Sequence, residues 1–292
     1  MDFAPRDPFF LVLVIAAVSI EWAVRLGAGR SYDWRAARAS FGLAAGRIIA
    51  VILFLAIVAP AYAALWAAAP IKLPADDWRV WAAGFVAVEF AYYWMHRMSH
   101  QVRWMWASHA VHHTSEELNF PAALRLGWTD VVSGGWLFFA PLIVAGFHPL
   151  MIVTLLAANL KFQFLLHTEL IGKLGVIDSV FNTPSNHRVH HASNPCYLDC
   201  NFGGVTVIFD RMFGTYARED GAEPLRYGLS TPLRSANPFV IAFHEWRALA
   251  RELRQCRTAA EILHALIGGP GAAATMITTR TKFIAKQDEG LT

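Results

Sequence analysis

Charge is scarce in this chain. Only 16% of its 292 residues are Asp, Glu, Lys or Arg, where a water-soluble domain carries roughly a quarter, and 55% are hydrophobic. No Lys/Arg block interrupts it and the formal net charge is only +3, so nucleic acid is not an expected partner. Cysteine is scarcer still. Cys196, Cys200 and Cys256 are an odd set that builds no disulfide framework. Cys196 and Cys200 lie four apart beside a histidine cluster, and are either reduced thiols or extra metal contacts. No basic stretch precedes the first apolar run, whose leading residues include Asp2, Arg6 and Asp7, and no small-residue cleavage site follows. That run reads as a retained anchor rather than an export signal. With no internal repeat or compositional break, a single domain over 1–292 is expected.

What the chain has instead is long apolar runs. About 20 helical residues cross a hydrocarbon core of about 30 Å. Pro8–Leu26, Arg47–Ala69 and Trp78–Met95 each read as one span, the third bounded by Trp78 and Trp81 at one end and by Tyr92, Tyr93 and Trp94 at the other. Val131–Leu166 is too long for one span, and Gly146-Phe147-His148-Pro149 divides it into a helical hairpin. Arg25, Arg30, Arg35, Arg38 and Arg47 follow the first span, whereas Lys72 and Arg79 in the next loop are offset by Asp76 and Asp77. The positive-inside rule then puts the first loop in the cytoplasm, and both His96 and His187 reach that same side. The fold class expected is all-α: an integral membrane helical bundle of three spans plus a hairpin, with a cytosolic helical cap from residues 96–130 and 169–267. Within the cap, Phe243–Ile267 interleaves Trp246, Leu249, Leu253 and Ile262 with Arg247, Arg251, Arg254 and Arg257. Such a helix lies on an anionic membrane surface or packs on the cap.

The twelve histidines carry the chemistry. His96-Arg-Met-Ser-His100 is one box; His109-Ala-Val-His112-His113 and His187-Arg-Val-His190-His191 share a second spacing. Residues three and four apart share a helix face, so each box aims its imidazoles at one point. Neutral imidazole ligates iron, zinc or copper, and eight or nine converging rings exceed the needs of one ion. Two metals are therefore expected. His167 ends an apolar run on the same side and is counted as a ligand; His148, His244 and His264 are read as ordinary residues. Glu89, seven residues before His96, is an acid inside an apolar span and a candidate to orient a ligand ring, as is Glu116, four after His112. Ion pairing with Arg97 or Arg103 is the alternative for both.

No His-Glu-x-x-His is present, and the imidazoles would overfill a hydrolytic zinc site. A transporter would spread polar groups across the membrane, whereas these crowd one interface. Nitrogen-rich iron sites suit O2 activation, and beside membrane helices such a site reaches a lipid C–H bond. The expected function is a membrane-bound diiron oxidation; a metal transporter or sensor and an inactive lipid-binding relative are the alternatives. Trp94, Trp104 and Trp106 either line the lipid's entry or anchor the interface.

Trp106-Ala-Ser-His109-Ala-Val-His112-His113-Thr-Ser-Glu116 and Asn182-Thr-Pro-Ser-Asn-His187-Arg-Val-His190-His191, with Asp199-Cys-Asn201-Phe-Gly203-Gly204 and Asp210-Arg211-Met-Phe-Gly214-Thr, resemble the fatty acid hydroxylase/sterol desaturase superfamily over about Phe85 to Gly269. They look most similar to its alkylglycerol monooxygenase branch. The resemblance implies two iron ions with O2 as co-substrate, and hydroxylation or desaturation of a lipid. It carries the ligand role onto His96, His100, His109, His112, His113, His187, His190 and His191, with His167; Asn186, where relatives often have histidine, is left out. It also implies an external electron donor, either a separate protein or a small reductant such as a pterin, since no cytochrome b5 or ferredoxin segment is recognisable. The expected location is a bacterial inner membrane with the metals on the cytoplasmic side.

Overall fold

The computed structural model describes residues 8–221 and 223–272; the amino-terminal lead and the tail beyond 272 lie outside the described residues. Eleven α-helices and several 3-10 turns form among the described residues, and β structure there is confined to two isolated bridges, Phe181 with Thr206 and Ala192 with Tyr227. The all-α expectation holds.

Helix α1 (Pro8–Gly27) buries only Val14, Val18, Glu21 and Arg25, a single stripe at helical spacing. Helix α2 (Trp34–Ala68) starts where the Asp33 side chain accepts from the Ala36 N–H. Both are long and apolar enough to cross a membrane, and only 22% and 17% of their most apolar windows are buried in the protein. Ile48, Ile49, Ile52 and Leu53 of α2 face outward, as do Leu11, Val12 and Ile15 of α1. Surfaces of that kind require lipid. The sequence placed the second span at Arg47–Ala69, but α2 begins thirteen residues earlier. Arg35 and Arg38, read as loop charges, ride on a helix extended past the bilayer by its cap.

Helix α3 (Trp78–Gln101), capped by Asp77, has 24 residues but, unlike α1 and α2, is not apolar enough to count among the membrane-capable helices, and it runs straight through the expected boundary at Met95 into the first histidine box. Its buried stripe includes Gly84, Val88, Glu89, Tyr92, His96 and His100. After Val102 the chain turns into α4 (Arg103–His109), which packs back on α3. The expected hairpin 131–166 needs correction. Its first arm is broken into α5 (Asp130–Ser133), a 3-10 turn over Gly135–Phe139 and α6 (Ala140–Val144). Gly134 causes the break: its φ of +81° is left-handed backbone that ends a helix. The second arm is one helix, α7 (Pro149–Phe164), started by the His148 side chain and Pro149. Val58 and Tyr62 of α2, Val88 and Tyr92 of α3, Ile143 of α6 and Ile152 and Leu156 of α7 form the core of this bundle.

The cap consists of α8 (Pro184–His191), α9 (Ile208–Phe213), α10 (Pro238–Gln255) and α11 (Ala259–Ile267). The C-terminal ends of α1, α3 and α7 and the N-terminal end of α2 all meet the histidine-bearing segments. Arg25 binds the Leu118 carbonyl and Arg125 binds Ser40, while His167 follows α7 directly. That is the one-sided arrangement the charge pattern implied.

Candidate metal centre

Five segments deliver nine imidazoles. Helix α3 carries His96 and His100, and α4 ends on His109. A 3-10 turn carries His112 and His113, His167 follows α7, and α8 carries His187, His190 and His191. The second box was expected on one continuous helix. Instead α4 stops at His109 and tightens, so that His112 and His113 diverge.

The rings form two clusters. His96, His100, His109, His113 and His190 make one, His112, His167, His187 and His191 the other, with the potential donor atoms of each within 4.8 Å of one another. Each His-His dipeptide is divided, with His113 and His190 in the first cluster and His112 and His191 in the second. Adjacent residues of a helical turn point about 100° apart, so such a pair bridges two sites rather than serving one.

Backbone carbonyls fix the ring orientations. The Nδ1 of His96 meets the Phe202 carbonyl at 2.9 Å, that of His112 the Arg125 carbonyl at 3.2 Å, that of His167 the Gln163 carbonyl at 2.8 Å and that of His190 the Cys200 carbonyl at 2.9 Å. A carbonyl only accepts, so these Nδ1 atoms hold the proton and each Nε2 presents a lone pair. Yet His112 Nε2 and His167 Nε2 lie 3.2 Å apart, acceptor against acceptor. His187 Nε2 lies 3.0 Å from His167 Nε2, and His96 Nε2 3.1 Å from His109 Nε2. The Nε2 atoms of His100 and His190 are buried with no partner. A cation bound by about 2.1 Å bonds holds cis nitrogens about 3.0 Å apart, so the observed spacings and orphaned lone pairs fit a metal in each cluster. Burial reinforces this. It pushes His109, His112, His113, His187 and His191 well below the ordinary histidine range, His190 down to about 4 and His167 to about 3. All stay neutral, ligand-competent bases at pH 7.

The carboxylates behave differently from expectation. Glu116 is exposed, and the ring it was to orient, His112, uses the Arg125 carbonyl instead. Arg125 is clamped by Ser40, Thr114 and the Ala36 carbonyl, which ties this acceptor to α2. Glu89 is buried but bonds no imidazole. It accepts from Asn159, from the Val205 and Thr206 N–H groups at 3.0 and 2.9 Å, and from the Thr206 hydroxyl. It therefore anchors the loop whose Phe202 carbonyl orients His96. Asp210 holds the other side of that loop, accepting from the Phe202 and Gly203 N–H groups, and burial raises its carboxyl to about 6. Neither Glu89 nor Glu116 pairs with Arg97 or Arg103; Arg103 serves Glu245 and Glu252 of α10.

Sequence reasoning gave no role to Arg125, Asp210, Asn159 or Arg188. Arg188 reaches from the third box to Glu219 and to the Thr168 and Ile171 carbonyls, locking α8 to the segment after His167. Asp210 and Arg188 lie in motifs the sequence singled out, while Arg125 and Asn159 leave no local signature. Cys200 contributes only its carbonyl, and neither the Cys196 nor the Cys200 thiol joins a cluster. His148 caps α7, and His244 and His264 lie outside both clusters. A cavity of about 240 Å³ opens on His100, His113, His190 and His191 and is walled by Trp106 and Asp199. Trp94 packs on Phe90 and Phe213, and Trp104 on Trp246, both away from it.

The histidine-bearing part of the chain matches a known class: residues 81–215 are similar to the Fatty acid hydroxylase family. Within that class it is similar to alkylglycerol monooxygenase. The human protein is 36% identical over 81% of this chain and 52% of its own length. That of Xenopus tropicalis is 42% identical over 59% of this chain and 37% of its own. Ornithine lipid hydroxylase OlsE of Rhizobium tropici is 32% identical over 46% of this chain and 40% of its own. The chain spans about half the length, or less, of these relatives. No solved structure matches it.

Proposed function

We propose that the chain is an integral membrane lipid hydroxylase that binds two iron ions and uses O2. The observation that carries this reading is the pair of all-imidazole clusters, in one of which the proton-free Nε2 atoms of His112 and His167 face each other. When bound, two irons supply the redox chemistry by which O2 attacks an unactivated C–H bond. His96, His100, His109, His113 and His190 hold one ion, and His112, His167, His187 and His191 the other. The four backbone-anchored Nδ1–H groups keep their rings in the ligating tautomer, and burial keeps competing protons off the Nε2 atoms. Glu89 and Asp210 act as positioning residues through the loop that carries Phe202. Glu116 has no part in the centre.

The names of the relatives support a lipid as substrate, and the lipid-facing helices α1 and α2 supply a route to it. Electrons come from a separate protein or small reductant, with a pterin as the candidate by resemblance. The arginines after α1 and at the start of α2 support a cytoplasmic metal end under the positive-inside rule; a bacterial inner membrane is the location proposed. The test is Mössbauer and elemental analysis of detergent-purified, iron-reconstituted chain, followed by a lipid screen under ¹⁸O2. About two irons per chain and ¹⁸O in a lipid hydroxyl are the expected results. Tight zinc that iron cannot replace on reconstitution, with no O2-dependent lipid product, would overturn the proposal.

A further inference from the structure

Helix α10 segregates its charges by face. Its acids turn inward: Glu245 lies 2.8 Å and Glu252 3.0 Å from the buried guanidinium of Arg103. Its arginines turn outward. Arg247, Arg251 and Arg254, at i, i+4 and i+7, are exposed on one face, and none has an ion-pair partner among the described residues. Packing on the cap would explain the buried stripe of Ile241, Ala242 and Leu249, but it leaves this row of unneutralised cations without a role.

The row borders a groove of about 510 Å³ whose other walls include Leu233, Val240 and Ala250, so guanidinium groups and apolar surface share one concavity. At the amino-terminal end of the same face stand Phe239 and Phe243, 68% and 37% exposed. The position of α10 makes this arrangement meaningful. Ile241 and Ala242 pack on Ala39 and Leu43 in the first third of α2. A 35-residue helix is about 52 Å long and overruns a hydrocarbon core of about 30 Å, so α10 meets α2 at headgroup depth. An exposed helix face there that is aromatic at one end and cationic at the other matches an amphiphile with an anionic head.

We propose that this groove is a binding site for an anionic phospholipid, its phosphate held by Arg247, Arg251 and Arg254 and its upper acyl chain by Val240, Phe239 and Phe243. Guanidinium forks engage phosphate oxygens in paired hydrogen bonds, and the apolar walls select a lipid over free phosphate. The site is separate from the metal clusters, so the proposal does not depend on the reaction assigned to them.

The experiment is native mass spectrometry of the full chain released from detergent, after incubation with phosphatidylglycerol or phosphatidylcholine of identical chains. The wild type should retain phosphatidylglycerol in preference by about tenfold or more. The triple variant Arg247→Gln, Arg251→Gln, Arg254→Gln should fall to the phosphatidylcholine level with its metal content unchanged. Equal retention of the two lipids by the wild type, or undiminished phosphatidylglycerol retention by the triple variant, would overturn the proposal. So would an acidic protein that occupies the arginines while the two lipids bind alike. Because metal content reports folding in the same sample, a misfolded variant is recognised; Arg251→Gln alone, with a partial loss of preference, then carries the test.

Discussion

Removing the Glu89 carboxylate tests how the loop at 202–206 is held. In Glu89→Ala the Val205 and Thr206 N–H groups and the Asn159 amide lose their acceptor in a buried setting. Each stranded donor costs about 1–3 kcal/mol. Some relief comes from rotation of the Thr206 hydroxyl and from water entering the vacated volume, which leaves a net loss of about 3–6 kcal/mol, a large fraction of the 5–15 kcal/mol typical of a domain. Glu89→Gln is a milder perturbation with a distinct signature. Its oxygen still serves the backbone donors, but its NH2 faces the Asn159 NH2. Turning Asn159 over would present its oxygen, yet that oxygen already accepts from Gln163, whose own oxygen accepts from Tyr92 at 3.0 Å. Relief therefore requires reversal of the whole chain as far as the Tyr92 hydroxyl, and the expected cost is about 1–2 kcal/mol. The assay is thermal unfolding in detergent with metal content measured in parallel. The alanine variant should lose metal as well as stability, because the Phe202 carbonyl that orients His96 moves with the loop. A Glu89→Ala protein with wild-type unfolding temperature and two metals per chain would refute the reasoning.

Other consequences follow from the same geometry. At saturating metal, His112→Ala and His100→Ala should each reduce the content from two ions to one, since the two rings serve different clusters; elemental analysis that shows no loss in either would count against the two-site arrangement. Gly204→Ala places a Cβ 2.0 Å from the Asn159 amide, so a loss of about 1–3 kcal/mol is expected in thermal unfolding. Arg188→Ala strips Glu219 of a buried partner at 2.8 Å and should cost about 3–5 kcal/mol, read from the denaturation midpoint. For the metal-free protein, burial holds His190 at about 4 while an unfolded histidine titrates near 6.5. Its contribution is thus fully present above about pH 6.5 and lost as pH falls toward 4, by about 3 kcal/mol for this ring alone. Unfolding of chelator-treated protein across that window should show the decline, and a flat profile would contradict it.

The convergence of the nine histidines was legible in the sequence because imidazole is rare and its spacing is fixed by the helix. The apolar runs were legible for the same reason, since period and length leave few readings. The supports were not. His96, His112, His167 and His190 are all oriented by backbone carbonyls, and a carbonyl has no residue identity for a sequence to display. Glu89 was found as an anomalous acid, but its partners lie 70 to 117 residues away, so only the fold could name them. Glu116 had the right spacing on an ideal helix and failed because α4 ends at His109. The second span was placed too late because Arg35 and Arg38 look like loop residues until the Asp33 cap is seen to start a helix before them.

The division of the two His-His dipeptides has a consequence for how the centre fills. One peptide unit joins a ligand of the first cluster to a ligand of the second, once at His112-His113 and again at His190-His191. An ion that settles in one cluster fixes the backbone of both dipeptides and so prearranges two of the ligands of its neighbour. Uptake should then be cooperative, with a sigmoidal isotherm and few half-filled molecules, and an ion left alone by mutation of the other cluster should be held more weakly than the same ion in the intact pair.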